Sequence, residues 1–559
     1  MRKAIIIITA IFIVLSLATP RQEAVFAAGS REAAPQGIYA LWNEGEYDRF
    51  TNYAGGYSLH VDKGMYVDMS IAGVCAILES ATKRIEIFNQ PLGRTVSMAD
   101  YTAYSNGFLK NRVDHTYEYQ GYQEIGGRNI HITQWSRKKL SRVKNDKNYY
   151  ACLDIPVSSS EVITIMVSST MPLYQNGDYR HLMESFEYDK KTQPRYVRKA
   201  ANTNAAGKNW NDETKEFYNK YFGKDAGLTW GIFEPKAPEY FQDLQETEKL
   251  LDYEFPVILN YSSFESTTRH SDLEYRLKNT YDAGKTLELT LQTSWTSDNH
   301  NQVYRILDGV YDEFLRNYAK TIADFGHPVI FRLCNEMNGD WCPYSGWNTS
   351  RDPQIYIELY KYVYSFFEGA GAKNVIWVWN PNSGSFPDFT WNNELMYYPG
   401  DEYVDVIGLT AYNTGNYYKG ETWKSFADLY DNFYYGYVDK YDKPMMITEF
   451  SSATTGGDKN RWVIDMFGHI KYYDKIKIAV WWDGADYDTN GAIARSYFID
   501  DPVTLIETFR KGLRGDYNEE RPQSGSSNSN VNNGGNSSAG SNGSNGNNND
   551  VSWKENVFA

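Results

Sequence analysis

Eight short apolar runs, separated by amphipathic stretches, occupy the chain from about Glu213 to Tyr517. They are Leu228–Phe233, Pro256–Tyr261, Thr286–Gln292, Pro328–Leu333, Asn374–Trp379, Val404–Leu409, Pro444–Glu449 and Ile478–Trp482, with starts roughly 30–45 residues apart. Between them apolar residues recur every three or four positions, as at Ile355, Leu359, Val363 and Phe366, the spacing of one helix face. Eight strand-then-helix units in roughly 300 residues predict an α/β fold, a (β/α)8 barrel. An open doubly wound sheet usually carries fewer strands and often a glycine-rich phosphate loop, and the sequence shows no such loop.

Three other stretches flank the expected barrel, 213–517. From 37 to 190 the pattern is mostly period two, as in Tyr57–Val61, Arg84–Phe88, His131–Trp135 and Val162–Met166. A helical stretch from Ser97 to Leu109 interrupts it, so this part is expected to be a smaller α+β domain with an antiparallel sheet. Its sequence suits binding sugar, docking the enzyme or supporting its neighbour, and does not choose between them. The polar stretch Lys191–Asp212 is the expected boundary. At the N-terminus, Arg2 and Lys3 precede an apolar run of about 15 residues, and Ala24, Ala27 and Ala28 follow. That layout is expected to be a cleaved signal over 1–28, so the protein is read as secreted and extracellular. The run is short for a membrane span. Ser524 to Asp550 is almost wholly Ser, Asn and Gly, so 520–550 is expected to be a disordered tail. This tail or the first domain would be the route to any association with a cell surface.

The charge balance narrows the partners. There are 71 acidic and 56 basic residues, a net charge of −15, which argues against nucleic acid and against an anionic membrane surface. Aromatic residues make up 16% of the chain, with 15 Trp, 47 Tyr and 26 Phe. That surplus serves either a core or surfaces that stack on the apolar faces of sugar rings. The four cysteines, Cys75, Cys152, Cys334 and Cys342, fit no zinc pattern and leave three disulfide pairings or buried free thiols open. No metal site or organic cofactor is expected.

In a barrel of this kind chemistry sits at the C-terminal ends of the strands. The fourth run leads into Asn335, Glu336, Met337, Asn338, Gly339, Asp340 and Trp341, and the seventh ends in Glu449. A carboxylate and an amide at a strand exit are costly to bury without partners. Two glutamates facing each other across the barrel mouth are what cleavage of a glycosidic bond requires, one acid to protonate the leaving oxygen and one carboxylate to attack the sugar.

These residues resemble glycoside hydrolase family 26, which includes β-mannanases and belongs to the clan A barrels. The resemblance covers roughly 220–510. It is most specific in Arg332, Glu336, Met337, Asn338, Gly339 and Trp341, and continues in Asn374–Asn382, Val404–Asn413 and Ile447–Glu449. It implies Glu336 as acid/base and Glu449 as nucleophile of a retaining glycosidase, expected to be endo-acting on a β-mannan-like or other β-linked polysaccharide. One departure is Asn335, where the family usually has His. Asn is the commoner residue in the wider clan, where it contacts the sugar 2-hydroxyl, so the departure bears on which sugar sits at the cleavage point.

Supporting roles follow from position. Tyr412 leaves the sixth run beside the seventh and is expected to hydrogen-bond Glu449. Arg332, four residues before Glu336, is expected one layer lower in the barrel, close to the nucleophile. Trp341 and Trp482 are the candidates for stacking on sugar. Trp481 is assigned to packing, and Trp230, Trp295, Trp379 and Trp391 are weaker candidates. A catalytically inactive carbohydrate-binding protein or a transglycosylase remodelling a surface polysaccharide would share the barrel and the aromatic residues.

Overall fold

A computed structural model describes residues 37–189, 208–264 and 270–517. The expected signal and the Ser/Asn/Gly-rich tail lie outside the described residues, as does most of the expected boundary.

The first domain is two stacked antiparallel sheets. Its strands are β1 (Tyr39–Glu44), β2 (Tyr47–Asn52), β3 (Tyr57–Val61), β4 (Tyr66–Asp68), β5 (Cys75–Glu79), β6 (Lys83–Pro91), β7 (His115–Ile125), β8 (Arg128–Arg137), β9 (Tyr149–Ser158), β10 (Glu161–Ser169) and β11 (Glu187–Tyr188). Four of them form a sheet ordered β1-β2-β3-β11, and seven form a sheet ordered β4-β5-β6-β10-β9-β8-β7. Alternation along each strand divides its side chains between two faces. Phe50 and Leu59 of the small sheet meet Leu78, Ile85, Ile132, Leu153 and Ile165 of the large one. The opposite face of the large sheet carries Phe88, Trp135, Tyr150, Cys152, Val162 and Met166 and packs toward the second domain. The helix Met98–Ser105 lies on that side, begun by Ser97, whose hydroxyl accepts from the Asp100 backbone N–H while the Asp100 carboxylate accepts from that of Ser97, a reciprocal cap.

All eight expected barrel runs are strands. They are β12 (Thr229–Phe233), β13 (Val257–Ser263), β14 (Thr286–Gln292), β15 (Val329–Leu333), β16 (Val375–Trp379), β17 (Val406–Thr410), β18 (Met445–Phe450) and β19 (Ile476–Trp482). Neighbours pair in parallel, and β12 closes on β19 with Thr229 opposite Ile478. Strands covered on both faces need apolar side chains throughout, which is why the runs are continuous. Inside the barrel the lower layers are apolar, from Val257, Leu259, Ile330, Ile376, Val378, Val406, Met446, Ile478 and Val480. Glu288 is buried among these lower layers, paired with Leu259 and Ile330, and toward the C-terminal ends the inward positions turn polar, with Thr290, Arg332, Asn380, Thr410 and Thr448 all buried.

The two domains share one core. Arg351, in the segment after β15, is fully buried and crosses the seam. Its guanidinium donates to the Cys152 sulfur at 3.2 Å and the Tyr101 hydroxyl at 2.8 Å, and lies 3.9 Å from Asp154. The Trp391 indole donates to the Ser105 hydroxyl at 3.1 Å, and Asp114 binds His300 at 2.8 Å and the Asn301 N–H at 2.7 Å. Each barrel residue in these contacts belongs to a segment following β14, β15 or β16. The first domain therefore sits on the loops of the barrel's C-terminal face. All four cysteines are buried free thiols. Among the described residues no helix is long and apolar enough to cross a membrane, and no cluster of three metal-ligating side chains occurs.

Candidate active site

Period-two alternation carries Arg332 inward from β15, one layer below the mouth. It is fully buried, and each of its nitrogens has a partner. Nε donates to the Thr290 hydroxyl at 2.8 Å, Nη1 to the Asn380 amide oxygen at 3.0 Å, and Nη2 to Glu449 Oε2 at 2.8 Å. A buried guanidinium needs such satisfaction, and its fork geometry suits three fixed acceptors.

Glu449 owes its place to a break in register. The β17–β18 pairing slips between Leu409 and Thr410, and that of β18 with β19 slips twice. Such irregularities re-aim side chains at barrel rims. Thr448 is directed inward, where its hydroxyl lies 3.0 Å from that of Thr410, and Glu449 reaches the mouth. Its Oε2 also accepts the phenol O–H of Tyr261, from β13. Tyr261 lies two residues after the inward-facing Leu259, so the same alternation that places Arg332 places this phenol. The hydrogen bond expected from Tyr412 is thus made by Tyr261. Tyr412 is half-buried nearby, its ring 6.3 Å from Trp482 and 5.3 Å from Tyr497, so it borders the site through its ring rather than by holding the carboxylate.

Glu336 follows β15 in a turn with left-handed backbone at two non-glycine residues, φ 51° at Cys334 and 56° at Glu336. Such conformations cost about 1–3 kcal/mol each and concentrate at functional sites. Here the Glu336 N–H is tied to the Asn380 carbonyl at 2.7 Å, and its side chain accepts from the Asn382 amide. Burial first, and then the negative charge of Glu449, push the Glu336 carboxyl up to about 7, against the opposing pull of Asn382, Arg332 and the indole N–H of Trp341. A carboxyl in that range carries a proton near neutrality.

The remaining expected residues surround this pair. Asn335 is buried, with its side-chain oxygen accepting from Gln292 at 2.7 Å and its backbone carbonyl accepting the Tyr344 hydroxyl at 2.6 Å. Trp341 is 47% exposed. Its ring lies across Gly339, where a Cβ would come 2.5 Å from the indole, so the Gly-x-Trp spacing leaves room for the ring. Trp482 points inward at the mouth and stacks on Phe233 at 5.1 Å and 9°. Trp481 points outward, fully buried against Phe450 and Phe509, as its assignment to packing expected. Trp230, Trp379 and Trp391 are core residues, whereas Trp295 is 39% exposed at the end of β14.

Comparison with known proteins gives the site a lineage. Residues 273–476 match the model of glycosyl hydrolase family 26. The chain is 31% identical over 267 residues to endoglucanase H of Acetivibrio thermocellus, an alignment covering 46% of this chain and 28% of that protein. It is 32% identical over 176 residues to a mannan endo-1,4-beta-mannosidase of Bacillus subtilis strain 168, covering 29% and 43%. It is 26% identical over 113 residues to the beta-1,3-xylanase TXYA of a Vibrio species, covering 20% and 23%. The chain thus spans less than half the length of each of these relatives. The matched segment contains both glutamates, Arg332 and five complete strands of the eight in the barrel, so the match to glycosyl hydrolase family 26 lies in the barrel domain.

Proposed function

We propose that this protein is an exported, endo-acting, retaining glycoside hydrolase that cleaves a β-mannan or a related β-linked polysaccharide. The observation that carries the reading is the unequal treatment of two carboxyls at one barrel mouth. Glu336 is raised to about 7 by burial and by Glu449, whereas Glu449 is bound directly by a buried guanidinium and a phenol. Environments that separate two carboxyls in this way assign acid and nucleophile. Both donors converge on Oε2 of Glu449, so Oε1 is the attacking oxygen.

Oε1 attacks the anomeric carbon as the glycosidic C–O bond breaks, and the departing oxygen takes the proton from Glu336. Glu336, now a carboxylate, then removes a proton from water as that water attacks the anomeric carbon and releases Glu449. Two inversions retain the configuration. Trp341 and Trp482 supply the stacking faces, and Asn335 meets the sugar next to the cleaved bond. The relatives' names include mannan, 1,3-xylan and a glucanase, so the substrate panel should hold a β-mannan, a β-glucan and a β-xylan. The N-terminal sequence supports export.

The test is chemical. Glu449→Ala should abolish turnover of the polysaccharide that the wild type cleaves, and azide should restore cleavage of an activated aryl glycoside to give a glycosyl azide of inverted configuration. Glu336→Ala should still cleave activated aryl glycosides, with azide giving a product of retained configuration. Wild-type activity in both alanine variants would place the active site elsewhere.

A further inference from the structure

The first domain reaches the barrel mouth at one point. Tyr104, in the helix Met98–Ser105, donates its hydroxyl to the carboxylate of Asp340. Asp340 immediately precedes Trp341, whose indole N–H faces the Glu336 carboxyl. The Tyr104 backbone carbonyl accepts the Trp347 indole N–H at 2.9 Å, with the two rings 5.8 Å apart, and Phe389 meets the Tyr104 ring edge-on at 6.1 Å. Tyr104 is therefore fixed at hydroxyl, backbone and ring, yet 45% of it is exposed.

That exposure is not isolated. Trp341 is 47% and Phe386 49% exposed, with their rings 5.2 Å apart. Phe386 is tied by its N–H to the Asn338 carbonyl at 2.8 Å, within the same turn as Glu336. Asp340 joins Tyr104 to Trp341 here, and exposed aromatic residues gathered at one place are the kind of surface that binds a ligand. Its continuity with Glu336 through Trp341 says what occupies it, namely the carbohydrate chain being cleaved. Pyranose rings present C–H faces to such aromatic residues and hydroxyls to a carboxylate.

We infer that Tyr104 of the first domain, with Asp340 and Trp341 of the barrel, forms a distal subsite for a pyranose ring of the β-linked polysaccharide, so that the substrate site is built by both domains. The inference rests on the hydrolase reading above, because it takes its ligand from that reading. In this arrangement the first domain is part of the enzyme's grip on long chains, rather than a separate binding module.

The experiment uses the full chain and three forms, wild type, Tyr104→Ala and Tyr104→Phe. Each is assayed on the polysaccharide best cleaved in the panel and on an aryl β-bioside of the same sugar. Tyr104→Ala should raise KM for the polysaccharide about tenfold with little change in kcat. The ratio of kcat/KM on polysaccharide to that on the short substrate should fall by a similar factor. Tyr104→Phe, which keeps the ring, should recover most of that ratio. An unchanged ratio in Tyr104→Ala overturns the inference. So does an equal loss on both substrates accompanied by a lower melting temperature, which would show that Tyr104 serves only the seam. Affinity electrophoresis in polysaccharide-containing gels, on the Glu449→Ala background, separates this result from the catalytic reading. If the wild type cleaves nothing, the hydrolase reading fails alone. The subsite then stands if Tyr104→Ala loses retardation, and falls if retardation is unchanged or none occurs.

Discussion

Glu288 offers a quantitative test of how the barrel interior handles charge. It points inward from β14 and is fully buried, and neither carboxyl oxygen has a hydrogen-bond partner among the described residues. The nearest cation is Arg332, at 3.5 Å from Nε, but that N–H is already given to Thr290. Burial pushes the Glu288 carboxyl up to about 8, opposed by Arg332 and reinforced by Glu449. The folded protein therefore holds a proton here that the unfolded chain, with an ordinary glutamate near 4.3, releases. Because the folded pKa is the higher one, this group's contribution to stability is complete below about pH 4.3. It declines as pH rises and levels off above about pH 8. Across pH 5 to 8 the decline is about 3 units at 1.36 kcal/mol each, or about 4 kcal/mol. Glu288→Gln has the same shape and does not titrate. It should match the wild type at pH 5 and exceed it at pH 8. With an unfolding entropy near 2.1 cal/mol/K per residue, 4 kcal/mol moves the midpoint of a barrel of this size by about 6 °C. Scanning calorimetry of both proteins at pH 5, 6.5 and 8 reads the difference directly. Parallel melting curves, with a constant offset at every pH, would refute the argument that this carboxyl is held neutral.

Under the proposed roles, hydrolysis of an unactivated polysaccharide should decline as pH rises through about 7, because Glu336 would have to arrive protonated and its carboxyl sits there; the alkaline limb of the kcat/KM profile measures it. Tyr261→Phe removes a hydrogen bond to Glu449, the proposed nucleophile, and should lower kcat by about 10–100-fold, with Tyr412→Phe losing less; the reverse order would restore the role expected of Tyr412. Gly408→Ala puts a methyl group 2.7 Å from Asn380 Cβ and 2.8 Å from Thr448 Cγ2 inside the barrel. It should cost about 1–3 kcal/mol by overpacking, read as a lower melting temperature.

The barrel was legible because its strands are buried on both faces. Asn374–Trp379 and Ile478–Trp482 are apolar runs for that reason, and counting them was enough. Arg332 was legible because alternation along its strand sets its direction, and Glu336 because it follows at that strand's exit, although a left-handed turn and not alternation aims it. Tyr261 was missed although the same alternation points it inward. Its partner lies 188 residues away, and nothing local says that β13 faces Glu449 across the barrel. The expectation for Tyr412 followed sequence proximity to the seventh strand, where the register slips that aim Glu449 have no local signature. Register likewise decided between Trp481 and Trp482. In the first domain individual strands such as Tyr57–Val61 were readable. Their division into two sheets, and the docking of the larger on the barrel loops, were not, because contacts such as Arg351 to Cys152 span 199 residues.

Arg351 also bears on how such a protein is inherited. Its hydrogen bonds and its carboxylate neighbour lie on the first domain, while its backbone belongs to the segment that follows the Glu336 turn. A genetic crossover between residues 190 and 207 would hand the barrel a new companion and strip that guanidinium of Cys152, Tyr101 and Asp154 at once. A buried cation left without its partners costs about 3–5 kcal/mol, a large fraction of what holds a typical domain together. The two halves are therefore expected to be inherited together, because a new companion covering the same loops would have to bring its own acceptors for Arg351.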